Sequence, residues 1–312
     1  MTAQSSILKY ALIVAMVMIS SGCQPLMVNN LRDRFQPSND RDWSPELSVL
    51  PTAELDGNSL HVKNIRNCNY LSDEDYVINH YDKTVRIDDI QSVDFIVVPF
   101  KKSPALAHTM FSFGMADGSY LGVSVEVRKE KNETYKPLLG ISNQYEIMYV
   151  VADERDLIRL RTRHRDDDVY VYPTVATPRQ ARTLFSDVMQ RVNQLAGQPE
   201  FYHSVKNNCT TNLAEHVNRL QPKKVPFNWQ VLLPGFSARY AYDLGLLDNR
   251  IPFEDLEIIA NVNDLAERHF NSPNFSQAIR SNRGRIDRAV AMQRQRDSNR
   301  TSAGLQALEQ WR

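Results

Sequence analysis

Between residues 92 and 152 the chain alternates apolar and polar positions or runs apolar for five or more residues, which predicts strands. They fall at Ser92–Phe100, Ala105–Gly114, Ser119–Lys129 and Tyr145–Ala152, with a further strand at Val169–Val175. Helical spacing takes over elsewhere. A short helix is predicted over Asp153–Thr162. A longer one starts at Thr177-Pro178, a good cap followed by a good first residue, and runs to Ala196, with Gly197 as the stop. Cys209, Leu213, Val217 and Leu220 share one face of the next helix, behind the polar residues Lys206-Asn207-Asn208. Short helices are expected over 253–282. Strands dominating the first half and helices the second predict an α+β fold, an antiparallel sheet packed against helices.

Two of the strands flank the loop Ala116-Asp117-Gly118. A three-residue hairpin loop with Gly in the left-handed position sets Met115 opposite Ser119. Phe113 then faces Leu121, Phe111 faces Val123, Thr109 faces Val125 and Ala107 faces Val127, so one side is apolar. The other side carries Ser112 with Gly122, Met110 with Ser124 and His108 with Glu126. A register one residue away would set polar against apolar, which burial rejects.

That pairing matters because of Cys209. A thiol in the first turn of a helix feels unpaired N–H groups and the helix dipole, which favour the nucleophilic thiolate and can hold an oxyanion. A thiol nucleophile needs a base, usually His, and a group to orient it. His216, seven residues further along the same face, is about 10 Å away by helix rise and cannot take the proton. His203 would need a tight turn to approach, and His61, His80, His164 and His269 sit in polar, loop-like surroundings. His108, within a strand and across from Glu126, is the base with an orienting partner. The helix pattern alone also fits an inert buried Cys, and the strand pattern alone fits a surface His–Glu pair.

Composition narrows the choice little. The 312 residues are 42% hydrophobic and 24% charged, as in a globular protein with a real core. Lys+Arg and Asp+Glu are both 37, so nothing points to nucleic acid. The stretch Arg280–Arg300 holds seven Arg against two Asp and reads as a solvated or loosely helical tail, with anionic lipid headgroups as an alternative partner. Asn228–Gly245, rich in aromatics and punctuated by Pro and Gly, fits either core or the wall of a pocket.

At the N-terminus Lys9 precedes the ten-residue apolar run Tyr10–Ile19, too short to span a bilayer, and then Ser20-Ser21-Gly22-Cys23. This resembles a bacterial lipoprotein signal, although Ser20 stands where Leu is usual. The resemblance implies a lipidated Cys23, and Gln24 after it implies the outer membrane, with the domain facing the periplasm. Cys68 and Cys209 would remain, able in principle to pair in an oxidising compartment. Without Cys-x-x-Cys or His-x-x-x-His spacing, no zinc or other cofactor is expected. The resulting division is a signal peptide over 1–22, a tether over 23–58, a catalytic domain over 59–252, a helical extension over 253–282 and an Arg/Gln-rich tail over 283–312.

The runs Ala107-His108-Thr109, Ser112-Phe113-Gly114, Ser124–Glu130, Tyr149–Thr162, Asn207–Asn212 and Leu232-Leu233-Pro234-Gly235 resemble the Lnb N-terminal periplasmic domain family over about residues 60–250. That family is similar to permuted papain-like (NlpC/P60-type) folds, in which the His strand precedes the Cys helix. The resemblance implies Cys209 as nucleophile and His108 as its base; Glu126 as third member rests on the hairpin register. Asn208 is the candidate oxyanion donor beside the helix-start N–H groups. The family's named member is a lipoprotein transacylase with a multi-span membrane portion that this chain lacks. The expectation is a membrane-tethered thiol acyltransferase or hydrolase acting on a lipoprotein or lipid. A peptidoglycan peptide hydrolase and a non-catalytic envelope scaffold are the alternatives.

Overall fold

β9 (Glu146–Asp153) lies at the heart of the sheet because its run from Ile147 to Ala152 carries no charge and can be buried on both faces. Alternate residues divide between the two faces. Ile147, Tyr149 and Val151 enter one core; Met148, Val150 and Ala152 enter the other. The structure, a computed structural model, describes residues 36–135, 139–141, 143–221 and 224–309. The signal peptide and Cys23 lie outside the described residues.

The sheet has eight strands. Its main path runs β1 (Thr52–Asp56), β2 (Ser59–Arg66), β9, β8 (Tyr120–Arg128), β7 (Ser103–Met115), β6 (Ile90–Phe100) and β10 (Tyr170–Pro173), and β5 (His80–Arg86) pairs with β2. β3 (Asn69–Tyr70) and β4 (Tyr76–Val77) form a separate small pair. The sheet is mixed rather than wholly antiparallel, because β2 meets β9 in parallel at Arg66 and Ala152. No local pattern could reveal that junction, since it joins segments separated by most of the sheet's sequence. His61 and His80, expected in loops, sit on β2 and β5.

The β7–β8 hairpin has the register set by its loop. Met115 N–H donates to Ser119 O at 2.9 Å, and five pairs from Gly114–Tyr120 to Met110–Ser124 follow. Gly118 takes φ +78, and a Cβ there would sit 1.9 Å from the Gln277 amide. Gly118→Ala is therefore expected to cost about 1–2 kcal/mol from the left-handed backbone alone, read as a lower urea midpoint with an unchanged m-value.

Helices cover both faces. α1 (Glu154–Arg159) leaves β9 directly, with Asp153 accepting Arg155 N–H at 3.0 Å, and continues as a π-helical turn, Leu160–His164. After β10, α2 (Pro178–Gly197) begins with a full capping box between Thr177 and Gln180. Its buried stripe, Ala181, Leu184, Phe185, Val188, Val192 and Leu195, recurs every three or four residues and packs on the sheet. α3 (Cys209–Leu220) lies beside α2 on the same face. Next come α4 (Trp229–Leu232) and α5 (Ser237–Asp243).

The chain's ends are more integrated than expected. From residue 36 on, the segment read as a tether is built into the fold: Asn39 donates to the carbonyls of Leu195 and Ala196, the Arg128 guanidinium lies 4.1 Å over the Trp43 ring, and β1 joins the sheet. The C-terminal helices α6 (Phe253–Ala260), α7 (Asn263–Arg268) and α8 (Phe275–Ala278) seal the sheet's second face and its β10 edge. Arg280 follows them into the interior, bridging Asp94 and Glu154. The Arg-rich stretch from Gly284 is helical, α9 (Gly284–Glu309).

Candidate functional site

Asn208 fixes where α3 begins. Its side-chain oxygen accepts Thr211 N–H at 2.9 Å, and Thr211 Oγ1 accepts Asn208 N–H at 2.9 Å, a reciprocal cap that makes Cys209 the first helical residue. The Asn208 amide nitrogen donates to Ser204 O at 2.8 Å. Its side-chain oxygen thus serves the cap and one amide N–H the preceding turn. The N–H groups of Cys209 and Thr210, in the first turn of the helix, have no intrahelical acceptor.

The thiol lies in the core with Phe111, Val123, Val125 and Leu213, on the sheet face that α2 covers. His108 belongs to the other face of β7, alongside Met110. The two still interact, because the β7–β8 ladder ends at Met110–Ser124. Beyond that point Thr109–Val125, His108–Glu126 and Ala107–Val127 are no longer ladder pairs, as a continuous hairpin would have made them. His108 and the Thr109 N–H and hydroxyl both act on the thiol, favouring its ionised form. Thr109 Oγ1 also lies 3.1 Å from Thr210 Oγ1, which is 3.8 Å from Sγ.

His108 and Glu126 come together by a different route from the one the register implied. His108 Nε2 lies 2.6 Å from Ser124 Oγ, Ser124 Oγ donates to Glu126 Oε1 at 2.6 Å, and Nε2 is itself 3.3 Å from that oxygen. Arg161, in the π-helical turn, donates to the same Oε1 at 3.3 Å and to Leu157 O at 2.9 Å. With Nε2 facing these acceptors, Nδ1 is the ring nitrogen turned away from them.

The electrostatics follow from this chain of contacts. Burial would lower the His108 pKa, but the Glu126 charge and the bonds to Cys209 and Glu126 raise it to about 9. Burial would raise the Cys209 thiol, but bonding and charge from His108, together with Thr109, bring it down to about 7. Burial acts against the Glu126 carboxylate too, and His108 and Arg161 hold it well below its usual range. Between about 7 and 9 the pair is therefore a thiolate beside an imidazolium. Cys68 stands in contrast: buried beside Asp156, its thiol is pushed up to about 11. Both cysteines are free, so the pairing considered from sequence is not formed.

His203 and His216 are engaged elsewhere. His203 Nδ1 accepts Val205 N–H at 3.1 Å and holds the turn before α3. His216, buried two turns up, lies 2.5 Å from Asp187 and 2.8 Å from the Tyr149 hydroxyl, which donates to Asn212 at 3.1 Å. Burial keeps the His216 pKa low despite Asp187. Ser124, Arg161, Thr109 and Thr210 were not legible as site residues. Ser124 alone gave a signal, as the small polar residue two before Glu126 on the same strand face.

An apolar cleft opens beside Thr210, the residue that follows Cys209. Thr210, Leu213 and Val217 of α3 form one wall, Phe95 and Phe111 the floor, and Val231 of α4 part of the other wall. The aromatic stretch 228–245 thus supplies pocket wall through α4 and α5.

The model of the Lnb N-terminal periplasmic domain matches residues 78–235, half of the chain. The chain belongs to that family. Its Lnb domain includes His108, Glu126 and Cys209, and membership places the protein in the periplasm. No curated protein and no solved structure matches the chain. Among the described residues no helix is long and apolar enough to cross a membrane.

Proposed function

We propose that this protein is a cysteine acyltransferase or hydrolase that works through an acyl-thioester on Cys209, with lipoprotein or lipid acyl groups as substrate. The observation carrying this reading is the junction of a thiol near pKa 7 with an apolar cleft that begins at the next residue. A charged nucleophile beside a greasy slot suits an acyl ester better than a polar peptidoglycan peptide. The order of elements, with the His strand before the Cys helix, supports a permuted papain-like arrangement. The apolar run ending at Cys23 supports a lipid anchor in the outer membrane.

In the first step the Cys209 thiolate attacks the ester carbonyl. The N–H groups of Cys209 and Thr210 hold the oxyanion. As the C–O bond breaks, the leaving alcohol takes the Nδ1 proton of the His108 imidazolium, leaving a thioester and neutral imidazole. An amine or water then attacks the thioester, imidazole accepts its proton, and the thiolate is released. Glu126, assisted by Ser124 and Arg161, orients the ring and stabilises its cationic form.

Intact-mass analysis of the full chain with p-nitrophenyl octanoate tests the reading. The expected result is a hydroxylamine-labile octanoyl adduct, absent in Cys209→Ala and formed faster than the acetyl adduct from the corresponding acetate. Release of muropeptides without acyl uptake would reassign the site to peptide hydrolysis. No adduct and no hydrolysis in either assay would leave a structural envelope protein.

A further inference from the structure

The mouth of the cleft carries an unusual surface. The largely exposed Phe and Trp among the described residues are Phe100, Phe227, Trp229 and Phe236, and the last three are interleaved along the chain with the cleft residues Val225, Gln230, Val231 and Ser237. Trp229 is 56% exposed and Phe227 62%, while Val225 and Val231 beside them line the cleft. Trp229 and Phe236 pack edge to face at 5.3 Å, and Gly235 presses against the Pro104 and Ala105 backbone, just after the β6–β7 turn that bears Phe100. Exposed aliphatic residues elsewhere are scattered singly. Monomers rarely leave such a cluster bare unless something covers it.

Three observations say what covers it. Trp and Phe suit a membrane–water boundary, where a flat ring meets both hydrocarbon and headgroups. Exposed Lys102 and Lys224 flank the aromatics, as contact with anionic headgroups favours. The described chain also starts at this end of the sheet. Ser38 N–H donates to Glu146 at the head of β9, and Trp43 bridges to Glu130 just past β8. The intervening residues 24–35, at about 3.4 Å each, let a lipid on Cys23 lie within roughly 40 Å of this face.

We propose that this aromatic rim docks on a phospholipid bilayer, with Phe227, Trp229 and Phe236 at headgroup depth and the cleft mouth opening toward the lipid. Docking at this face is independent of Cys209 chemistry. It is a second contact with the membrane beyond the anchor, and it turns the protein to face the leaflet instead of trailing from a tether.

The test is quenching of Trp229 by brominated phospholipid in the full-length chain on phosphatidylethanolamine–phosphatidylglycerol vesicles. The variant Trp43→Phe/Trp311→Phe leaves Trp229 as the only tryptophan of three. Its emission is expected to fall by about half with brominated acyl chains, and acrylamide access to drop in parallel. Phe227→Ser/Phe236→Ser should abolish the quenching while the near-UV circular dichroism stays native. Cys209→Ala should leave it intact, which separates this proposal from the catalytic one. Chain held on vesicles with Trp229 unquenched, or chain that does not bind vesicles at all, would overturn the proposal. So would loss of acrylamide access in lipid-free solution with doubled mass by light scattering, because a second copy would then be the cover.

Discussion

Titrated against pH, alkylation of Cys209 by iodoacetamide is expected to rise with a midpoint near 7 in the wild type and above the ordinary thiol range of about 8.5 in His108→Gln. Three influences set the wild-type value. Burial works against the thiolate, and the imidazolium and the Thr109 bonds outweigh it. Gln keeps the side chain's bulk and polarity but cannot carry charge, so only the burial penalty and the Thr109 bonds remain. At pH 7 the thiolate share falls from about half to about one in a hundred, partly offset by the greater intrinsic nucleophilicity of a more basic thiolate. The midpoint is thus a cleaner reading than the rate. Cys68, pushed up to about 11, stays silent across the range. Turnover should follow a bell. It rises as Cys209 loses its proton near 7 and falls as His108 loses the leaving-group proton near 9. A single midpoint shared by wild type and His108→Gln would remove the imidazole from the site.

The largest effect on stability is expected from Arg280→Met. The guanidinium reaches the sheet's interior, donating to Asp94 at 2.8 Å and to Glu154 Oε2 at 2.8 Å, with the Tyr120 ring 3.6 Å beneath it. Burial pushes the Asp94 carboxyl up, but Arg283 and Arg280 together hold it below its usual value. Methionine fills much of the same space and leaves Glu154 and half of Asp94's compensation missing. Removing one member of a buried ion cluster costs about 3–5 kcal/mol. The chevron or urea midpoint should drop accordingly, and adding Glu154→Gln should recover part of the loss. Full additivity of the two changes would show that they do not act as one cluster. Ser112 also donates to Glu154, and it lies four residues beyond His108 on the same face of β7. Loosening this cluster should therefore also broaden the site's geometry.

Much of this was legible in local pattern. The loop Ala116-Asp117-Gly118 gave the hairpin register, and Asn208 with the spacing Cys209, Leu213, Val217 gave the helix and its buried face. Both are decided within a dozen residues, where turn chemistry and burial agree. The end of the β7–β8 ladder was not legible, because Thr210, which meets Thr109 there, comes from about a hundred residues further on. The same distance hid Thr109 as an influence on the sulfur, and the 35 residues between Glu126 and Arg161 hid that support. The packing of residues 36–58 was missed for a similar reason. Their polar composition suggests solvent, but Trp43 and Asn39 find partners on β8 and α2 that only the assembled fold provides.

The polar thread behind α3, from Asp187 through His216 and Tyr149 to Asn212, has a mechanical consequence. Asn212 also donates to Asn207 at 2.8 Å and to Asn208 O at 2.9 Å, so the first and second turns are bolted to both the strand beneath and the neighbouring rod. The backbone that carries the Cys209 sulfur is therefore held against sliding along the sheet. Under the proposed thioester chemistry a substrate must present its ester to a stationary point, and selectivity among acyl donors then falls to the length and breadth of the slot they thread.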